Sequence, residues 1–390
     1  MGSGSLESLH DSTERKQMKI HSKALLRAVI ACKAIRISSP VAPEYDYVRI
    51  RIGYGNECCE AFNGSDLLRH GIAIEYDDGL GVLDSAFEYA PLISWLSYAD
   101  GEVTISEKNG KIVFDDGSTK LEKPKFDTMF PIRNAPEEKG PFIELGKDDW
   151  AFLRSNTGEL HGNTNCNALH VSPGPEVYVA TTDGRGISIV KIEPGIDGPT
   201  IEEPTVIPAD EIDAAFKAMD KDSITIECTD NGFFVGHGSV EYWFAGSAHT
   251  NVLHGMCRQW LEKDKPFISI GVGEVKDAIG AIHKAFESKT KDKKERPRAK
   301  FFTRDGSLFV VGGEFYDFYS KPLRPLEIEF PEDIADIIVD AKMMSDALAH
   351  IDGQLWFLTD PRLGPTNFKV ISNDGQRQCA IMPMSEKKRS

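Results

Sequence analysis

The chain has 390 residues, 41% of them hydrophobic and 27% charged, with a formal net charge of −16. That length exceeds one ordinary core and suits two or three domains, and no apolar run approaches the length that spans a bilayer. The acidic balance disfavours an open, convex nucleic-acid surface, which is normally basic; a basic surface hidden inside an acidic exterior is still allowed.

Residues 1–17, opening Met1-Gly-Ser-Gly-Ser, read as a leader, with a second start at Met18. The spacing of Leu25, Leu26, Val29 and Ile30 predicts an amphipathic helix over 22–35. A strand over 48–52 follows, then a helix over 85–98, then a hairpin of 102–106 with 111–114 turning at Asn109-Gly110. The order returns with a helix over 147–155 (Trp150, Phe152, Leu153), a strand over 177–180 and a helix over 208–219. A hairpin of 223–227 with 232–235 closes it, with a turn signal at Asn231-Gly232. It returns again with a helix over 274–288 (Val275, Ala278, Ile279, Ile282, Phe286), a strand over 307–311, a helix over 341–351 and a hairpin of 354–358 with 367–371.

The same order therefore appears three times at a period of roughly 125 residues, far longer than the 20–50 residues of a solenoid repeat. Boundaries fall near 131–140 and 263–266. The expected organisation is α+β: three repeated domains over 18–135, 141–263 and 266–385, each with two helices on a sheet, and a charged tail over 386–390. The seven cysteines (Cys32, Cys58, Cys59, Cys166, Cys228, Cys257 and Cys379) are odd in number and include no CxxC pair. This argues against a disulfide framework or thiolate zinc site, and for a reducing, cytoplasmic setting.

Three short stretches carry a resemblance. Val179-Ala180-Thr181-Thr182-Asp183-Gly184-Arg185-Gly186-Ile187 is similar to a V-A-T-D-G-H-R-L segment with one residue inserted. Ala380-Ile381-Met382-Pro383-Met384 is similar to a V-V-M-P-M-R-L ending. Phe62-Asn63-Gly64-Ser65-Asp66-Leu67 resembles a T-G-T-D-L segment, and Phe130-Pro131 stands where an F-P closes the first unit. In this order, on a three-fold repeat, they resemble the bacterial DNA polymerase III β subunit from about Met18 to Met384.

The resemblance implies a sliding clamp, a processivity factor without catalysis or cofactor. Two chains would join head to tail into a six-domain ring, with helices lining the hole and sheets outside. The implied partners are duplex DNA held without sequence preference, DNA polymerase, the clamp loader, repair proteins and a second copy of the chain; no membrane is involved. Basic residues on the helices would face DNA: Lys23, Arg27 and Lys33; Lys147, Arg154, Lys217 and Lys221; Lys276, Lys284, Lys289 and Lys342. Simple solvation of a helix face explains the same residues, and Asp148, Asp149, Glu211 and Asp213 share the middle helices. The basic segment 289–300 suits either a DNA-touching loop or a solvated one.

The resemblance also implies an apolar peptide pocket between the second and third domains. Its matching positions are Thr182, Gly184, Arg185, Gly186 and Ile187 with Asp340, Met343, Arg362, Gly364, Ala380, Ile381, Met382, Pro383, Met384 and Ser385. The family's His-Arg pair is Arg185-Gly186 here, its tyrosine is Met343 and its terminal arginine is Ser385. The F-P-D-Y stretch is replaced by residues 245–254. The pocket's peptide preference is therefore expected to differ. For an enzyme, the sequence offers no GxxxxGK[ST] loop, HExxH or GxSxG. A clamp fold serving only as a scaffold is the third reading, separable by native mass.

Overall fold

In the computed structural model the described residues are 17–36, 43–53, 55, 57–76, 82–127, 130–131, 133–136, 140–158, 166–174, 176–192, 201, 203–229, 232–246, 251, 253–256, 266–287, 297–304, 307–312, 319–323, 336–359 and 366–384. The first repeat runs β1 (Gln17–His21), α1 (Ser22–Cys32), β2 (Tyr47–Ile52), β3 (Cys58–Phe62), β4 (Leu67–Gly71), a short β5 (Glu75–Tyr76), β6 (Leu83–Glu88), α2 (Tyr89–Leu96), β7 (Glu102–Lys108), β8 (Lys111–Asp115) and β9 (Lys120–Pro124). The second runs β10 (Phe142–Gly146), α3 (Lys147–Arg154), β11 (Ala168–Ser172), β12 (Val177–Thr182), β13 (Gly186–Ile192), β14 (Thr205–Pro208), α4 (Ala209–Met219), β15 (Ser223–Thr229), β16 (Gly232–His237) and β17 (Val240–Phe244). The third runs β18 (Ile268–Gly271), α5 (Val272–Glu287), β19 (Arg298–Arg304), β20 (Ser307–Gly312), β21 (Tyr319–Leu323), β22 (Ile337–Asp340), α6 (Ala341–Ala349), β23 (Gly353–Phe357), β24 (Phe368–Ser372) and β25 (Arg377–Ile381). The expected α+β repeat is thus present three times: strand, helix, four strands, helix, three strands, with β5 as an addition in the first.

The chain forms two compact bodies. The first comprises Met1–Ala135, Lys217–Met219 and Gly236–Phe244. It holds the sheet β5-β1-β7-β8-β9 and the strands β17-β4-β3-β2-β6 in that order. Helix α1 packs against α2 and over β3 and β4. Its buried face is Leu25, Ala28, Val29 and Cys32, while Ile30 is 45% exposed and Leu26 half-buried. The stripe is rotated from the one expected, because the small Ala28 and Cys32 let the helix approach the sheet closely.

The second body comprises Pro136–Phe216, Asp220–Val235 and Ala245–Ser390. It holds β10-β15-β16, the sheet β14-β11-β12-β13-β25-β24-β23-β18, and the sheet β21-β20-β19-β22. Helix α3 lies on β12 and β13, and α5 packs against α6. One edge rule recurs. The third strand after a repeat's first helix pairs with the third strand after the next repeat's second helix. In the first body this joins β4 to β17, and in the second it joins β13 to β25. The corresponding strands left at sheet ends are β21 and β9.

Several expected boundaries move. Residues 85–88 are strand, not helix: β6 pairs with β2 from Tyr47↔Glu88 to Ile52↔Leu83, and Ser85 Oγ accepts from Phe126 N at 2.9 Å. Helix α5 starts at Val272, two residues earlier than its spacing suggested. Asn109 and Gly110 do form the predicted turn, both with positive φ (55° and 72°), the pair of conformations a type I′ hairpin requires. The second hairpin pairs Thr229 with Gly232. Gly232 is therefore the first residue of β16, and its loop, 230–231, lies outside the described residues.

Candidate partner pocket and DNA-facing helices

Every described residue of the expected pocket belongs to the second body, around the start of β13 and the end of β25. The β12–β13 connection is an Asx turn. Asp183 Oδ1 accepts from Arg185 N at 2.8 Å and Gly186 N at 3.1 Å, and Gly184 adopts φ 83°, which costs glycine no steric strain. Thr182 closes it: its Oγ1 donates to Gly186 O at 2.6 Å and accepts from Gly184 N at 2.9 Å. The same turn occurs in the first body, where Asn63 Oδ1 accepts from Ser65 N and Asp66 N ahead of β4. The two stretches singled out separately in the sequence are one device in two repeats, each leading into the strand that meets the next repeat.

From this turn β13 pairs with β25 in the register Gly186↔Ile381, Ile187↔Ala380 through Val190↔Arg377. Met382 N donates to Arg185 O at 3.1 Å and Met384 N to Ile338 O at 2.7 Å, so the C-terminal segment is pinned at both ends. Asp340 is the N-cap of α6; its Oδ1 accepts from Lys342 N and Met343 N, both at 3.1 Å. The cap aims Met343 across the repeat boundary. A Cβ on Gly186 would stand 1.7 Å from Met343 Cε and 2.8 Å from Ala380 O. Gly186 and Met343 therefore act as a pair: the missing side chain makes the space that the thioether fills.

The geometry brings Thr182, Gly184, Arg185, Gly186 and Ile187 together with Asp340, Met343, Ala380, Ile381, Met382, Pro383 and Met384. Arg362, Gly364 and Ser385 lie outside the described residues. Met382 is 37% exposed, and Arg185 is half-buried, its Nη1 shielded from solvent without an acceptor. Sequence reasoning missed two contributors. Leu253 packs with Ala180, Ile187 and Ile189; it sits in the stretch that replaces the family's F-P-D-Y, so no motif pointed to it. Asn156 lies beneath, its Nδ2 2.6 Å from Ser188 Oγ and 3.3 Å from Cys379 Sγ, tying α3 to both seam strands. Burial pushes the Cys379 thiol up to about 12, so it is a packing group rather than a nucleophile.

Of the basic residues expected to face DNA, Lys23, Arg27, Lys33, Lys147, Lys217, Lys221, Lys276 and Lys284 are exposed on or beside their helices. Two are already paired. Arg154 meets Asp213 at 2.9 Å and Asp210 at 3.0 Å, and Lys342 meets Asp346 at 2.5 Å. Lys276 Nζ donates to Ala349 O at 3.2 Å. Lys289 lies outside the described residues. The expected loop over 289–300 is strand at its end: Arg298, Ala299 and Lys300 belong to β19, with Ala299 fully buried and Lys300 ion-paired with Asp336.

The first body carries a charge ladder that no motif announced. Glu60, 2% exposed, meets Arg69 at 2.9 Å, Arg51 at 3.4 Å and Arg49 at 3.5 Å. Arg49 holds Asp84 through two 2.7 Å hydrogen bonds, and Arg69 reaches Glu241 at 3.0 Å. The signal was legible only after register: Arg49, Glu60, Arg69 and Glu241 face one another across four strands. Among the described residues, no group of three or more His, Cys, Asp or Glu could hold a metal ion, and no helix is long and apolar enough to cross a membrane.

Solved structures define the class to which this fold belongs. The DNA polymerase III beta chain of Streptococcus pneumoniae superposes with a TM-score of 0.77 at 13% identity, covering 95% of this chain and 100% of that one. The DNA polymerase sliding clamp of Bacillus subtilis gives 0.76 at 14% identity, over 95% and 100%, and the DNA polymerase III beta subunit of Thermotoga maritima 0.72 at 12%, over 95% and 99%. No protein-family model matches the sequence, and no curated protein matches it. The chain has the sliding-clamp fold over nearly its whole length, at an identity where only the fold is shared.

Proposed function

We propose that this chain is a DNA sliding clamp: a non-catalytic processivity factor that encircles duplex DNA and recruits polymerase, clamp loader and repair proteins through the apolar pocket. The recurrent edge rule carries the reading. Two junctions inside the chain join β4 to β17 and β13 to β25. A third application would join β21 of the third repeat to β9 of the first, and among the described residues each of these strands is paired on one side only. Two copies satisfy it twice, head to tail, and heterologous contacts of this kind close when the rotation allows. Closure also covers the two end strands, which would otherwise invite uncontrolled pairing. Six repeats in three domains per chain, over 18–135, 141–263 and 266–385, then form the ring.

The exposed lysines and arginine on the helices supply diffuse, salt-screened attraction to phosphates, which holds DNA without fixing a register. Arg154 and Lys342, already neutralised, contribute less than the others. An apolar peptide anchor would seat against the exposed Met382, over the filled contact of Met343 with Gly186. Truncation before Met382 removes the segment pinned by Arg185 O and Ile338 O. Peptide binding is expected to vanish while native mass stays that of a dimer; unchanged peptide affinity would sink the pocket assignment. Native mass of the full chain tests the ring. Twice the chain mass across a dilution series supports it, and a monomer at every concentration favours the scaffold reading.

A further inference from the structure

The second body holds a cavity of about 930 Å³ between the edge of β10, at Glu144 and Gly146, and the strand ends that carry Lys191 and Arg377. His350, Asp352 and Asp374 also line it. Arg377 pairs with Val190, whereas Ile381 pairs with Gly186, so the cavity lies four strand residues, about 13 Å, along the seam from the Gly186 turn. We propose that this cavity is a second docking site, for an extended basic segment of a partner protein. The segment adds by its backbone to β10 and brings lysine or arginine side chains to Glu144, Asp352 and Asp374.

Backbone alternation fixes what β10 offers. Cys228 N donates to Pro141 O and Lys147 N to Asp222 O, each at 2.7 Å, so the odd-numbered residues of this stretch bond toward β15. Glu144 and Gly146 turn their backbone groups the other way, and on that side β10 ends its sheet. They are also the two β10 residues that line the cavity. A free edge facing a cavity is a template for one more strand.

Charge decides what that strand carries. The cavity's own cations are engaged: Arg377 donates through Nε to Asp149 at 2.7 Å and through Nη1 to His350 O at 3.2 Å, and Lys191 is ion-paired with Glu176. Burial, then Arg377, lowers the pKa of His350, which leaves it uncharged near neutral pH. Glu144 and Asp352 are exposed and, among the described residues, meet no cation. Asp374 has only Oδ1 engaged, by Ser372 Oγ and Gln376 N. The open groups are therefore acceptors, and a lysine or arginine side chain supplies donors and opposite charge together. Nucleic acid is the wrong partner, because its phosphates would meet these carboxylates. The chain's net charge of −16 favours the approach of a basic segment. The site lies within one body of one chain, so it stands whether or not two copies close a ring.

Fluorescence polarisation on the full chain tests this with three labelled hexapeptide pools. The first has Lys at its second and fourth positions and a mixture of Val, Thr, Leu and Ser elsewhere. The second has Glu in place of Lys. The third keeps Lys but carries N-methyl groups on the intervening residues, which block edge hydrogen bonds. The Lys pool should bind about tenfold tighter or more than either of the others, and spermidine, a cation without a peptide backbone, should displace it only weakly. Glu144→Lys with Asp352→Lys should turn the preference to the Glu pool. Asp100→Lys with Asp127→Lys, the same charge change on exposed residues outside the cavity, should leave the Lys pool within about twofold. Unfolding midpoints verify that the variants are folded; if the cavity pair is not, Glu144→Gln carries the comparison with a partial loss. Truncation before Met382 should leave the Lys pool bound; its loss there would assign the binding to the other pocket and overturn this one. Equal binding of the Lys and Glu pools, an N-methylated pool as tight as its parent, displacement by spermidine as effective as by unlabelled Lys pool, or equal losses from the two charge reversals would each overturn the proposal, as would binding of no pool.

Discussion

Glu60 shows how much a single side chain can decide. It is buried among Arg49, Arg51 and Arg69, and removing one partner of a buried pair strands the rest. Glu60→Gln is expected to cost roughly 3–5 kcal/mol, read as a lower urea midpoint; a change within experimental scatter would mean the arginines find other acceptors. Gly186 is the counterpart by shape. Gly186→Ala drives a methyl onto Met343 Cε and Ala380 O, an overpacking expected to cost about 1–3 kcal/mol. Met343→Ala in the same chain should restore part of it, because the thioether is the movable half of the clash. Additive losses in the double variant would show that Ala380 O, not Met343, sets the limit.

Elements were legible in the sequence where one periodicity prevailed. Helices α3, α4 and α6, and the Asn109-Gly110 hairpin, fall where spacing and turn chemistry put them. Residues 85–88 do not, because Ala86, Tyr89, Leu92 and Leu96 continue one helical spacing into a segment whose ladder with β2 is decided by a distant strand. Packing rather than hydrophobicity chose α1's buried face, with Ala28 and Cys32 inside and Ile30 outside. The two motifs of the proposed pocket, Thr182 to Ile187 and Ala380 to Met384, do meet across β13 and β25. Leu253 and Asn156 were not legible, since each acquires its role from register and not from a local pattern. Two histidines, His350 at the C-terminal end of α6 and His70 in β4, also give a pH dependence. Burial, then the nearby Arg377, lowers His350; burial, with Arg27, lowers His70. The unfolded chain therefore takes up protons first. The stability they contribute is full above the ordinary histidine value of about 6.5 and is lost as pH falls through the depressed values. Urea midpoints should drop between about pH 7 and 5, and less steeply in His70→Asn with His350→Asn; an unchanged slope would remove these residues from the account.

For the whole molecule, the proposed junction between copies is weaker in backbone pairing than the two within the chain. Lys125 N bonds Gly110 O, and Asp116 N bonds Thr119 O. Antiparallel alternation then turns Leu121 and Lys123 toward β8, and Lys120, Glu122 and Pro124 outward. Pro124 has no N–H to offer there, and Pro322 in β21 has none either, whereas β17 and β25 contain no proline. Pro124→Val should restore one donor and tighten the dimer several-fold, on the order of one hydrogen bond; dilution-dependent native mass reads the change, and an unchanged midpoint would place the junction elsewhere. The most direct measurement is retention on DNA of two topologies. With its cognate loader, the protein should stay on a closed circle through gel filtration and leave when a restriction enzyme cuts that circle. Equal retention on circular and linear DNA would contradict encirclement.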